Sequence, residues 1–560
     1  MDRGDVFTFL VGGRAGAGVK KAGSVASNLF SSMGRYVFQM DDYQSLIRGG
    51  HNFVVTSTST RPVLSHYMKA DVVVALDARS LETHRSHVRE GGFLVYNSED
   101  AGDGPQAPDG VTAVGVPITT ESSKHPNPEL RSALTGPAAL AALIGLSADD
   151  LGQLIEREYR RDLEINTAFA RSVYDAVATT AGAAFKVEAG DGTRPLITGN
   201  EAISLGAVAA GLDLYFAYPM TPSSTILHFL AGHEKELGVT VMHPESEIAA
   251  ANIAIGAASM GARAMVGTSG GGFALMEEAI SLAGMAEVPL LSVLSSRPGP
   301  STGVPTYTEQ ADLRFALAQG HGDFARVVAS PGSVGEAFRL AAEMLALVWD
   351  LQIQGILLTE KHLSESRVSA DIDAGAAAWA EPRMHPGGDY KRYAGTDDGV
   401  SPMLFPPSDE LIKWTSYEHD ELGITTEDGT AIAAMHDKRG RKIQTLIDRL
   451  KGMTTVNRHG DKGPVVFAYG STTLSVLEAL RVGGIEARVV QPVYLEPFPD
   501  WELEEFRGAG AVVVEQSSTG QFTSLLRDKL ALDDPAAIKR YDGRPFEPEE
   551  LAEELARALT

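Results

Sequence analysis

Short runs of β-branched and aromatic residues alternate along the chain with longer stretches rich in alanine and small residues. Residues 5–11, Asp-Val-Phe-Thr-Phe-Leu-Val, read as a strand, followed by a helix over about 19–33 and a strand at Tyr36-Val-Phe-Gln-Met40. Further strand signals occur at 53–57, 71–76 and 92–96, and helical patterns at about 136–146 and 148–160. This organisation predicts a compact α/β unit over 1–186. Residues 187–195, Val-Glu-Ala-Gly-Asp-Gly-Thr-Arg-Pro, read as a linker. A second α/β unit over 196–370 has a small-residue helix at 202–212 and strands at 213–217, 239–242, 264–268 and 289–294. From 371 to 460 the pattern lapses into Pro, Gly, His and charge, which predicts an irregular interaction arm or lid. A third unit over 461–560 carries strands at 464–470, 487–491 and 511–515 and closes with an acidic helix after Pro548. Strands alternating with helices predict an α/β fold of several open, mostly parallel sheets.

Composition narrows what such units do. A chain of 560 residues is long enough for three or four domains with ample core. The formal charge of −25 argues against nucleic acid or an anionic membrane surface as the main partner. With no cysteine, the chain has no disulfide, no thiolate nucleophile and no Cys-ligated zinc or iron–sulfur cluster, so any cluster comes from a partner. The N-terminus lacks a signal-peptide core, and the charge-poor stretch 214–233 contains two prolines, so a cytoplasmic location is expected.

Candidate chemistry gathers at predicted strand ends. Tyr218-Pro-Met-Thr-Pro-Ser-Ser224 follows one strand, and Glu245-Ser-Glu247 lies shortly after the next. Ser269-Gly-Gly-Gly272 follows a third strand, and Ser296-Arg-Pro-Gly-Pro-Ser-Thr-Gly303 a fourth. Open α/β sheets bind ligands at strand C-termini. The hydroxyls of Thr221, Ser223 and Ser224 are also suited to capping a helix from about Thr225, and the acids to an ordinary helix start. In the first unit the glycines at 12, 13, 16 and 18 do not give GxGxxG, and Lys20 does not complete a Walker A loop. A turn that binds another phosphate, or none, fits better. Arg48, beside Gly49 and Gly50, is either an anion-binding arginine or a surface residue.

Taken in order, these motifs resemble the 2-oxoacid:ferredoxin oxidoreductases, specifically an alpha subunit with the γ domain fused in front. The resemblance covers nearly the whole chain, with Gly12–Gly18 and Ser45–Asn52 matching the γ domain. Val465–Gly470 and Val514–Gln521 match a transketolase C-terminal-like domain, and Met220 stands where many members have isoleucine. The resemblance implies that residues 196–370 bind the aminopyrimidine ring of thiamine diphosphate. It places the diphosphate, Mg²⁺ and a 4Fe–4S cluster in a separate beta subunit, with no metal ligand in this chain. Coenzyme A is implied as co-substrate, ferredoxin as electron acceptor and (αβ)₂ as the assembly. Glu247 is implied as the catalytic acid on the pyrimidine, with Pro219 and Gly271 beside the cofactor. Tyr218, Thr221 and Arg297 are implied to contact the oxoacid, and Ser45 and Arg48 to lie on the coenzyme A side. The fused two-chain form is closer to enzymes of 2-oxoglutarate than to those confined to pyruvate, which leaves both oxidation and reductive carboxylation open.

Overall fold

The computed structural model describes residues 1–45, 49–100, 107–124 and 128–559. Three sheets organise them. The first has eight strands in the spatial order 112–116, 88–97, 70–75, 7–14, 51–59, 36–42, 367–369, 196–198. Phe7–Arg14 pairs in parallel with Ala70–Ala75, but antiparallel with His51–Ser59 from Phe7↔Thr58 to Arg14↔His51. Tyr36–Asp42 also runs antiparallel to His51–Ser59. This half departs from the mostly parallel expectation because only residues 43–50 separate the two strands. A parallel return needs a crossover of a dozen or more residues. The α/β class stands, with a mixed sheet in the first unit.

The second sheet runs in the order 494–496, 326–329, 354–360, 290–296, 264–268, 214–216, 240–242. Its six strands from the middle of the chain are parallel, and Tyr494–Glu496 adds antiparallel at one edge. The third sheet has the order 456–459, 488–492, 465–467, 512–515, 536–539, parallel except for Val456–His459 at its edge.

The sheets ignore the expected unit boundaries. Leu196–Thr198 and Arg367–Ser369 join the first sheet, and Tyr494–Glu496 joins the second. Residues 187–195 are also held against the first unit: the Gly190 N–H donates to the Met33 carbonyl at 2.9 Å, and Arg35 donates to the Glu188 carbonyl at 2.7 Å.

The segment 371–460 is only partly irregular, since Gly429–Leu450 forms a 22-residue helix. Asp428 caps it by accepting from the Ala431 N–H. Its inward stripe is Met435, Lys438, Arg439, Lys442, Leu446 and Leu450. Three cations in that stripe break the apolar periodicity, which is why hydrophobic patterning missed the helix.

Candidate active site

The central strands Leu290–Ser296, Ala264–Thr268, Leu214–Phe216 and Thr240–Met242 lie side by side and parallel. Their C-terminal turns therefore share one edge of the second sheet, which brings the four sequence motifs together. After the first of these turns in the chain, the helix Ser224–Gly232 begins. The expected hydroxyl cap is not made. The Ser223 hydroxyl donates to the Met220 carbonyl at 2.8 Å, because the chain folds back on itself before the helix starts.

Glu247 opens the helix Glu247–Ser259, whose cap Ser246 accepts from the Ala249 N–H at 3.2 Å. The turn exposes Glu245 and points Glu247 inward, leaving it 3 % exposed. Its Oε1 has no hydrogen-bond partner among the described residues. Burying a carboxyl oxygen without a partner is costly, so such an atom points to a missing donor. The room for that carboxyl comes from Gly272. A Cβ there would lie 2.6 Å from Glu247 Oε1 and 2.1 Å from Thr268 Oγ1. The sequence reading singled out Gly271, which instead faces open space, its nearest neighbour being the Ser301 carbonyl at 3.9 Å.

Beside this carboxyl lies a cleft of about 490 Å³, lined by Met220, Gly270, Gly271, Arg297, Thr302 and Asp312 among others. Arg297 leaves the end of Leu290–Ser296 and donates to the Thr221 carbonyl at 2.8 Å, tying two of the expected substrate contacts together. Burial lowers the pKa of the Arg297 guanidinium, and Asp312 opposes that shift. Burial raises the pKa of Asp312, against a 2.8 Å hydrogen bond from Ser296 and the charge of Arg297. Thr268 and Met220 meet at 4.0 Å between hydroxyl and sulfur. Tyr218 is 39 % exposed and packs edge-on against His243, while Pro219 is half-buried.

The remaining expected residues lie elsewhere. Ser45 is an exposed residue of the first unit and does not line the cleft, and Arg48 lies outside the described residues. Sequence reasoning gave no role to Asp312, Thr268 or the packing of Gly272, and none to Ser296 beyond its place in the motif before Arg297. Ser296 and Gly272 carried a local signal, as members of the motifs at 296–303 and 269–272. Among the described residues no group of three or more His, Cys, Asp or Glu is arranged to hold a metal ion, and no helix is long and apolar enough to cross a membrane.

A parallel sheet with a glycine-lined cleft at its strand ends is the arrangement in which open α/β folds bind ligands. Residues 205–435 match the family model described as "Pyruvate flavodoxin/ferredoxin oxidoreductase, thiamine diP-bdg", and residues 8–176 match "Pyruvate ferredoxin/flavodoxin oxidoreductase". The chain is 31 % identical to 2-oxoacid:ferredoxin oxidoreductase 2, subunit alpha, of Aeropyrum pernix, over 99 % of this chain and 97 % of the relative. It is 29 % identical to 2-oxoglutarate oxidoreductase subunit KorA of Mycobacterium tuberculosis, over 88 % and 80 % of the two chains. Its fold matches 2-oxoglutarate:ferredoxin oxidoreductase from Magnetococcus marinus, solved with 2-oxoglutarate, coenzyme A and succinyl-CoA bound. That match has a TM-score of 0.89 and 26 % identity, and it covers 99 % of this chain and 100 % of the other. The chain belongs to the 2-oxoacid:ferredoxin oxidoreductase family, as an alpha subunit.

Proposed function

We propose that this chain is the pyrimidine-binding half of a 2-oxoglutarate:ferredoxin oxidoreductase. The observation that carries the reading is the buried Glu247 carboxyl with one oxygen left open beside the cleft. An acid so placed fits the ring nitrogen of thiamine diphosphate, with Pro219 and Gly271 against the cofactor. When bound, that cofactor supplies a carbon nucleophile that takes up the oxoacid carbonyl and holds the electrons released with CO₂. Glu247 holds and returns a proton at its open oxygen, a form of assistance typically worth about 10²–10⁴ in rate. Arg297 grips the oxoacid carboxylate as a guanidinium fork, and Thr221 and Tyr218 fix its orientation. Ser45 and Arg48 belong to the coenzyme A side. The products are an acyl-CoA, here succinyl-CoA, and two electrons passed singly to ferredoxin; the same groups serve the carboxylating direction.

The other half of the site comes from a beta subunit carrying Mg²⁺ and a 4Fe–4S cluster, in a cytoplasmic (αβ)₂ assembly. The helix Glu247–Ser259 supports such a partner. Its sequence is mostly apolar, yet its outer face leaves Ile248 52 % exposed, with Met260 just after it at 55 % and Leu275 nearby at 51 %. Large apolar side chains clustered at a surface are normally covered. Ferredoxins are commonly acidic, and this chain carries −25, so ferredoxin docks on the beta subunit. The preference for 2-oxoglutarate over pyruvate draws on the relatives named for 2-oxoglutarate.

The test is viologen reduction by the complex that this chain brings down from its own cell extract, with coenzyme A and either 2-oxoglutarate or pyruvate. Reduction with 2-oxoglutarate is expected. Reduction with pyruvate instead would change the substrate and keep the chemistry. A complex without thiamine diphosphate that reduces nothing would overturn the reading.

A further inference from the structure

The segment 297–312, which carries Arg297 and Asp312, is exposed at residues 299–304 and buried from 308 to 310. Its buried end is fastened to the third unit, which supplies none of the residues of the cleft described above. Thr308 N–H donates to the Gly543 carbonyl at 3.1 Å, and the Gln521 side chain donates to the Ala311 carbonyl at 2.6 Å. Gln310 sits at the centre, 3 % exposed. Its Nε2 donates to the Tyr469 carbonyl at 2.9 Å, and its Oε1 accepts from the Thr472 hydroxyl and the Gln516 N–H, each at 3.0 Å. Its own N–H donates to the Gln516 carbonyl at 2.7 Å. Gly470 adopts a left-handed φ of 57°, and a Cβ there would lie 2.8 Å from Gln310 Nε2, so the third unit is shaped to this side chain. Two residues on, Asp312 accepts from Ser296, the residue before Arg297.

A lone surface glutamine tolerates many neighbours. A buried glutamine whose amide is satisfied on both ends by a second domain fixes backbone position. We propose that Gln310 is a positioning residue: it locks the segment 297–312 to the C-terminal unit, so that Arg297 is preset for the oxoacid. This rests on the reading of Arg297 as the carboxylate-binding group. It gives the third unit a role in substrate binding without placing any of its residues in the cleft.

The experiment compares Arg297→Lys, Gln310→Met and the double variant in the assembled enzyme, reading KM and kcat for the oxoacid separately. Gln310→Met keeps the volume and removes the amide bonds. It is expected to raise KM about tenfold with kcat within about threefold. If Gln310 acts through Arg297, the double variant raises KM no more than the larger single change; effects that multiply would show independent roles and overturn the proposal. Where Gln310→Met does not assemble, Thr472→Val removes one bond from the far side, and a KM rise of about threefold at constant kcat supports the proposal. An unchanged KM in Thr472→Val overturns it. If Arg297→Lys leaves KM unchanged, the carboxylate reading falls. If it raises KM while Gln310→Met does not, only the positioning role falls.

Discussion

Two buried glutamates in the middle of the chain have opposite surroundings. Glu247, at the strand ends, is 3 % exposed and keeps Oε1 without a partner among the described residues. Glu287, 1 % exposed, receives Lys438 at 2.7 and 2.8 Å and Lys442 at 2.6 Å. Arg392 closes that cluster by donating to the Glu287 carbonyl at 2.7 Å, and its guanidinium lies 4.0 Å over the Trp414 ring. Burial raises the Glu287 pKa, but Lys442, Lys438 and Arg392 together outweigh it and hold the carboxyl well below the usual carboxylate range. A buried charge persists when it is paired, and an unpaired buried acid needs a reason from outside the chain. Glu287 therefore serves the fold by fastening the helix Gly429–Leu450 to the middle unit, whereas Glu247 has the open oxygen that the ligand role proposed for it requires.

The comparison breaks most readily at Glu247. Glu247→Gln should lower oxoacid-dependent viologen reduction by about 10²–10⁴. Folding stability should stay within about 1 kcal/mol of the parent or rise, because an unpaired buried acid is removed. Glu287→Ala should do the reverse. It leaves Lys438 and Lys442 uncompensated, so chemical denaturation should show a loss of about 3–5 kcal/mol, with near-parental kcat in the molecules that remain folded. Exchange of these outcomes between the two sites would end the distinction between Glu247 and Glu287.

Only one of these sites was legible in the sequence. The turns around Glu247 follow β-branched runs and are punctuated by Pro and Gly, so strand ends and polar residues are read together. Spacing left the two acids of Glu-Ser-Glu equivalent; the family resemblance singled out the second, which the structure buries. The lock at Glu287 joins residues 151 positions apart, and its helix carries cations where an apolar stripe was sought. Neither propensity nor spacing reports a contact of that range. The mixed first sheet was hidden for a similar reason: strand identity was readable from composition, but the direction of pairing depended on the shortness of residues 43–50. Within the site, the glycine run was visible, yet only the packed structure separates Gly272, which faces Glu247, from Gly271, which faces the cleft.

Gly272→Ala sharpens the comparison with a smaller effect. The added methyl would meet Thr268 Oγ1 and Glu247 Oε1 in a packed environment, where overfilling costs about 1–3 kcal/mol. The end of the Glu247 side chain is the part free to move, because nothing among the described residues holds Oε1. Activity is therefore expected to fall about tenfold, together with a modest loss of stability from the nearer clash with the buried Thr268 hydroxyl. A large loss of melting temperature with full residual activity would show that the carboxyl is held more firmly than its lack of partners implies.

The smallest effect lies in the paired cluster and is read by pH. Burial lowers the Lys442 pKa to about 7, with Glu287 opposing and Lys438 adding to the shift. An unfolded lysine titrates near 10.4. Between these values the unfolded chain holds a proton that the folded chain has released, so the contribution of Lys442 to stability rises with pH. It is complete above about pH 10 and is lost as pH falls through about 7. Lys442 also donates to the Gln352 carbonyl at 2.9 Å, and Lys438 and Arg392 remain beside Glu287 when Lys442 is neutral, so the carboxylate stays paired across that window. Lys442→Met removes this one titration. The parent should gain stability from pH 7 to 9 more steeply than the variant, by on the order of 1 kcal/mol per pH unit. Equal slopes would mean that Lys442 keeps its charge in the folded state, and the cluster would then be a fully ionised lock rather than one that sheds a proton near neutrality.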